Sequence, residues 1–167
     1  MTSVGEYAFQ NCSNLSNLVI GQGVTTISYN SLTGCSLESV TILCPSVVFS
    51  DLFLNVSSVD NLIIGPNVTV IKDYGTNIHP ISIKVDTENP IYDSRKNCNA
   101  IIETSTGKLV RGCENTIIPD DVTSIGRNAF SYSQFASIDI PNSVTSIGEY
   151  NQEIKGETNV VIIPVIA

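Results

Sequence analysis

Val122-Thr-Ser-Ile-Gly-Arg-Asn-Ala-Phe-Ser-Tyr-Ser-Gln-Phe-Ala-Ser-Ile-Asp-Ile-Pro-Asn-Ser143 runs directly into Val144-Thr-Ser-Ile-Gly148. It is one complete repeat and the opening of the next. Working outward, the apolar residue that ends each Ile-x-Ile-like run falls at Ile20, Ile42, Ile64, Ile83, Ile118, Ile140 and Ile163, in steps of 22, 22, 19, 35, 22 and 23. The apolar residue of Val-Thr-x-Ile falls at Val4, Ile27, Ile71, Ile125 and Ile147 and returns the same period of 22–23. Two anchors agreeing on one period mark a repeat architecture.

Each repeat reads L-x-x-I-x-I, then Pro or Gly, then Val-Thr-x-Ile-Gly, then Ala-Phe-x-x-Cys. Leu15 to Ile20 and Leu37 to Ile42 carry the alternation of a half-buried strand. Gly21, Pro66, Pro119, Pro141 and Pro164 end it. Val-Thr-x-Ile is a second short extended segment, and Gly5, Gly126 and Gly148 are expected in a following turn with positive φ. Ala-Phe-x-x-Cys predicts a short helical corner. Such a rung cannot enclose a core alone; stacked rungs can. The fold expected is a single solenoid domain over 1–167, mostly β with short helical or 3-10 corners, a right-handed coil of about six or seven rungs. Rung three (47–66) is degenerate, with Phe49, Leu52, Phe53 and Leu54 supplying apolar volume. The long step, about 84–115, predicts an inserted hairpin around Ser105-Thr-Gly107 that projects as a flap or extends the sheet. Asn151-Gln152 replace Ala-Phe, so 151–167 reads as a divergent last rung.

Val122 to Gly126, Ala129-Phe130, Ile138 to Gly148 and Ala8-Phe9-Gln-Asn-Cys12 resemble the BspA-type leucine-rich repeats of bacterial surface proteins. Asn89-Pro-Ile-Tyr-Asp-Ser-Arg95 and Asn97 to Ile102 resemble a recurrent segment between repeats of that family. The resemblance implies a leucine-rich-repeat-like coil, a cell-surface or secreted location, and adhesion to host or matrix proteins or cell–cell attachment.

Lys and Arg number 8 against 16 Asp and Glu, a net charge of −8, which argues against a nucleic-acid groove. Charged residues are 14 % of the chain, and Ser, Thr and Asn fill the exposed positions instead. No apolar run reaches the roughly 18 residues of a membrane span, and no signal peptide is recognised. Met1 enters in mid-repeat, so a longer repeat array is expected.

Two surfaces are candidates. The first is the outward strand face: Asn17 and Val19, Ser39 and Thr41, Asn61 and Ile63, Pro80 and Ser82, Ser137 and Asp139. Solenoids bind on such faces, but this set lacks Trp, Tyr and Arg, and a plain solvated sheet is the competing reading. The second is the inserted segment with Tyr92, Arg95, Lys96, Lys108 and Arg111, against the alternative of a solvated charged loop. Cys98 and Cys113 flank the hairpin as a candidate disulfide; Cys12 and Cys35 share one repeat position and suit a ladder of buried thiols. Five cysteines without C-x-x-C argue against zinc. His79 is the only histidine, beside Pro80 at a strand, and a structural role suits it. Gly21-Gln-Gly23 lacks a phosphate-loop context. No catalytic residue, cofactor or metal is expected. The function expected is a non-catalytic module binding a protein or glycan, the alternative a structural spacer that associates end to end.

Overall fold

The computed structural model describes residues 1–133, 135, 137–151 and 160–162, the last three by backbone alone. In chain order these residues form β1 (Ser3–Val4), β2 (Asn17–Ile20), β3 (Thr26–Ile27), β4 (Ser36–Ile42), β5 (Ser46–Val48), α1 (Phe49–Leu52), β6 (Ser58–Ile64), β7 (Val70–Lys72) and β8 (Ser82–Val85). There follow β9 (Tyr92–Asp93), a 3-10 turn (Arg95–Asn97), β10 (Ala100–Glu103), β11 (Lys108–Gly112), β12 (Ser124–Ile125), β13 (Ser137–Asp139), β14 (Ser146–Ile147) and β15 (Val160–Ile162). The chain coils through about six turns of a β-solenoid.

The main sheet is parallel, in the order β2-β4-β6-β8. Ile20 pairs with Ile42, Ile42 with Ile64, and Ile64 with Val85. The strands form because Leu, Ile and Val alternate with polar residues. Leu37, Val40, Ile42, Val59, Leu62, Ile64, Ile83 and Val85 bury inward, and Gly21, Pro45 and Gly65 follow the strand ends. The register corrects one step read from the sequence. Ile83 stands opposite Leu62, so Val85 is the true partner of Ile64 and the step is 21, not 19. In Ile81-Ser-Ile83-Lys-Val85 either apolar pair satisfies the alternation. Packing chooses the second and leaves Ile81 57 % exposed.

The Val-Thr-x-Ile segments stack on another side of the coil. β1 pairs with β3, β5 with β7, and β11-β12-β14 form a parallel run. Val47 pairs with Ile71 and supplies the anchor that degenerate rung three lacks in sequence. The threonine has a definite task. Thr25, Thr69, Thr123 and Thr145 donate their hydroxyls to backbone carbonyls of the preceding turn, at 2.7–3.2 Å. Each thereby satisfies an acceptor between rungs.

The corners are turns rather than helices, apart from α1 and the 3-10 turn. Left-handed backbone recurs at two positions of the repeating corner. Tyr7, Asn30, Asn128 and Tyr150 lie three residues beyond the Val-Thr-x-Ile anchor; Asn11, Gly34, Asn55 and Tyr132 lie two beyond the inward Phe or Leu. The glycine of Val-Thr-x-Ile-Gly does not take positive φ, contrary to the sequence expectation. Its role is close approach: a Cβ on Gly126 would lie 2.9 Å from the Leu109 carbonyl oxygen, whereas one on Gly5 meets nothing within 4 Å.

The inserted segment is not a flap. β10 pairs antiparallel with β11 and β9, and β11 joins β12, so the hairpin occupies a place in the stack. Ala100, Ile101 and Ile102 are all buried. Ile101 and Cys113 belong to the core of the first rungs; Ala100, Ile102 and Leu109 belong to a second core with Val122, Phe130 and Ile138. The hairpin is thus an internal wall with a core on each side. Ile118 resumes the apolar register as a buried residue, but residues 116–118 form no strand. The last rung expected at 151–167 lies largely outside the described residues, Gln152, Ile163 and Pro164 included. Its described part, β15, pairs in parallel with β13, Ile138 opposite Val161.

Gly126→Ala is expected to lower stability by about 1–3 kcal/mol and Gly5→Ala to change it by less than about 0.5 kcal/mol. Urea denaturation of the two variants side by side checks the stacking role; equal effects would refute it.

Candidate functional site

The outward strand face splits in two. The register places Asn17, Ser39, Asn61 and Ser82 in one row across four strands, and Val19, Thr41, Ile63 and Lys84 in the next. Ser82 donates its hydroxyl to Asn61 Oδ1 at 2.9 Å, and Asn61 Nδ2 donates to the Glu38 carbonyl at 2.8 Å, so the polar row is tied along the axis. Val19 is 63 % exposed; Ser39, Thr41, Ile63 and Ser82 are half-buried. Pro80 is buried and does not belong to the face. Lys84 takes the outward place, because the pairing runs two residues later than the sequence anchor implied. Ser137 and Asp139 are exposed but on β13, which pairs with β15 in a separate sheet. They do not continue the four-strand face, since the hairpin wall interrupts the stack.

Two of the five candidates on the inserted segment are corrected by burial. Tyr92 is buried, accepts a hydrogen bond from the Ile71 amide at 3.1 Å, and is fixed against β7. Buried Asn89 sets it there. Its Nδ2 donates to the carbonyls of Gly65 and Val68, and its Oδ1 accepts from the amides of Ile91 and Tyr92, all at 2.8–2.9 Å. Every hydrogen-bonding site of that amide is used.

Arg111 is 1 % exposed and is no surface cation. Its guanidinium pairs with Asp73 at 3.1 Å. It also donates to the Ser131 hydroxyl at 3.0 Å and to the carbonyls of Asn128, Thr76 and Ile78 at 3.0–3.3 Å. Burial pushes the Asp73 carboxyl above its ordinary range, opposed by Arg111 and by the Gly75 amide. Burial pulls Arg111 below its ordinary value, opposed by Asp73. A cation that looks exposed by type is inside because five acceptors converge on it.

Arg95 and Lys96 stay at the surface but are neutralised. Arg95 lies 2.6 Å from Asp93 and 3.2 Å from Asp121, and Lys96 lies 2.5 Å from Asp120. Burial acts to raise the Asp93 carboxyl, but hydrogen bonds from Arg95 and Thr104 outweigh it and hold the group below the usual range. Lys108 is exposed. Of the expected basic patch, Arg95 and Lys96 sit in local ion pairs, Arg111 is buried, and Lys108 remains an exposed cation.

The five cysteines are free thiols, which overturns the Cys98–Cys113 bridge. The two lie on opposite sides of the hairpin wall, Cys98 in the second core and Cys113 in the first. Their sulfurs donate to different carbonyls, Cys98 to Ala100 at 3.8 Å and Cys113 to Asn99 at 3.3 Å. Burial raises the pKa of Cys35, Cys44, Cys98 and Cys113. Cys35 is buried and Cys12 half-buried at their shared repeat position. Desolvation lowers the His79 pKa. Among the described residues no group of His, Cys, Asp and Glu could hold a metal ion, and no helix is long and apolar enough to cross a membrane.

The sequence reading missed a cleft at the corners. Five of the six tyrosines, Tyr7, Tyr29, Tyr74, Tyr132 and Tyr150, are exposed, and all sit in corner segments. Tyr74, Tyr132 and Tyr150, with Gly75, Arg127, Asn128 and Ser131, line a cleft of about 290 Å³. The Arg127 guanidinium lies 4.7 Å above the Tyr150 ring. The available signal was positional: Tyr132 occupies a corner position that carries Asn or Gly in the other described rungs, and Tyr150 one that carries Asn or Tyr7.

A family model described as "BspA type Leucine rich repeat region" matches residues 1–102 and 110–162 in six copies. Among solved structures, a leucine-rich repeat protein of Eubacterium ventriosum is 20 % identical with a TM-score of 0.54, covering 88 % of this chain and 53 % of its own. A leucine rich cell surface protein of Faecalibacterium prausnitzii is 22 % identical with a TM-score of 0.61, covering 89 % of this chain and 47 % of its own. At these identities the likeness is one of fold. The chain spans about half the length of each of these structures. No curated protein sequence matches the chain.

Arg111→Ala leaves Asp73 buried without its partner and is expected to cost about 3–5 kcal/mol in chemical denaturation; a loss near zero would refute the role given to the pair. Thiol titration is expected to find all five cysteines reactive in denaturant. In the native protein only half-buried Cys12 should react at an appreciable rate, and a reducing agent should leave the melting temperature unchanged.

Proposed function

Because this chain belongs to the BspA-type leucine-rich repeat family, we propose that it is a non-catalytic binding module of a cell-surface or secreted protein, and that it engages a protein partner through the face of β2, β4, β6 and β8. The observation that carries this reading is the pair of outward rows in register. Asn17-Ser39-Asn61-Ser82 offers hydrogen-bonding groups beside Val19-Thr41-Ile63-Lys84, which offers apolar contact ending in a cation. Four parallel strands at the usual spacing of about 4.8 Å hold these groups in fixed positions, so little conformational entropy is lost when a partner docks. The likeness to a leucine rich cell surface protein of Faecalibacterium prausnitzii supports the location. The family is one of repeats rather than of a conserved reaction centre, which supports a module without catalysis.

A second reading has its own observation. Among the described residues the outer edge of β2 has no partner strand, and Val4, Phe9, Leu15 and Leu18 are only half-buried at that end of the stack. Another rung, from a flanking repeat or a second copy, would cover them and complete the ladder. The chain would then act as a spacer or self-assembling segment.

The two readings separate experimentally. Immobilised matrix proteins are expected to retain the chain saturably, and Ile63→Asp with Lys84→Glu to weaken that binding by about tenfold or more without altering the melting temperature. Retention unaffected by both changes would overturn the strand-face assignment. Concentration-dependent growth in sedimentation velocity, abolished by Leu18→Asp, would favour the spacer.

A further inference from the structure

The corner cleft is built in a way that packing does not explain. Tyr132 and Tyr150 both lie in left-handed backbone, at φ 61° and 60°. A bulky residue there costs roughly 1–2 kcal/mol relative to Asn or Gly. At the position of Tyr132 the other described rungs use Asn11, Gly34 or Asn55; at that of Tyr150 they use Tyr7, Asn30 or Asn128. The two rings stay exposed in return, Tyr150 at 62 % and Tyr132 at 44 %. Strain of this kind at Tyr132, where the other described rungs place Asn or Gly, points to use of the ring itself.

Beneath the rings the floor is rigid. Asp73 Oδ1 accepts from the Gly75 amide at 2.9 Å, and the Asp73 carbonyl accepts from Asn128 Nδ2 at 3.4 Å. Arg111 donates to the Asn128 carbonyl and the Ser131 hydroxyl. The buried ion pair thus fixes three of the seven residues lining the cleft. A neighbouring cleft lined by Ser50, Leu54, Asn55, Thr76 and Asn77 shares Gly75 and Tyr132 with it, so the surface continues toward rung three.

We propose that the cleft bounded by Tyr74, Tyr132 and Tyr150 binds a sugar unit, and that Arg127 selects one bearing a carboxylate. A pyranose has a face of C–H groups that stacks on an aromatic ring and a rim of hydroxyls that needs polar partners. The cleft provides both. The Arg127 guanidinium carbon lies 4.7 Å from the Tyr150 ring centroid, which brings a cation into the cleft to meet an anion. A peptide is the poorer fit, because the cleft crosses corner turns and offers no strand edge for its backbone. The inference rests on the reading of the chain as a binding module and adds to it a second surface and a ligand class.

The test is ligand-observed NMR of the folded chain with glucuronic acid and N-acetylneuraminic acid, and with glucose and N-acetylglucosamine as neutral counterparts, at low and moderate salt. The same preparations are assayed on immobilised matrix proteins. Saturable binding of an acidic sugar is expected, weakened about tenfold by Tyr74→Ala or Tyr150→Asn. Arg127→Gln should abolish the preference for the acid. The strand-face change Ile63→Asp should leave sugar binding as it was. Absence of binding to all four sugars, or binding indifferent to the tyrosine changes, overturns the cleft assignment. If matrix-protein binding persists in that case, the module reading stands and only the cleft falls; if both are absent, both fall. The two tyrosines are exposed, and Asn is at home in left-handed backbone, so the variants should fold.

Discussion

The parallel backbone ladder between one turn of the coil and the next is the constraint on which this structure depends. A rung of 22 residues has too few apolar side chains to close a core. Its inward residues meet partners one turn above and one turn below: Val40 lies between Leu18 and Leu62, and Ile42 between Ile20 and Ile64. Register is therefore set by a whole column of residues, and a misaligned rung would place polar groups in the core. Volume within the column is negotiable. Ser31-Leu32 replaces Ala-Phe in the second rung, and in the third Phe49 and Phe53 pack edge to face at 5.6 Å. Phe130 and Phe135 use the same distance and arrangement in the cleanest repeat.

The ladder fails once, at the long step, and the repair is made by different chemistry. The hairpin enters the stack with an antiparallel pair, so its side chains cannot follow the columns. Arg111 reaches from the wall to the corner carbonyls of Thr76, Ile78 and Asn128 and to the Asp73 carboxylate. Asn89 and Tyr92 do the same between the insert and β7. Buried polar networks of this kind are strong when fully bonded and costly when one member is lost. Here they replace a repeat motif that the sequence has given up.

What the ladder occupies on the inside it leaves free on the outside. Outward residues carry no packing duty, so strand face and corners can vary independently. The strand face is polar, level and sparsely charged. The corners hold the exposed tyrosines and Arg127. On the inserted segment charge is paired locally, as with Arg95 between Asp93 and Asp121.

Periodicity alone determined that the chain is a solenoid, where most rungs begin and end, and which strand residues face outward in the first three rungs. It could do so because inward residues recur at one spacing, and burial demands that recurrence. Tertiary structure decided what had no period. It chose Val85 over Ile83 as the partner of Ile64, chose a place in the sheet over a projecting flap for the hairpin, put Arg111 inside, and separated Cys98 from Cys113. It also gathered Tyr74, Tyr132 and Tyr150 around one cleft. Each of these depends on which non-repeating groups meet across turns of the coil. That meeting is fixed by three-dimensional packing and hydrogen-bond satisfaction, not by position along the chain.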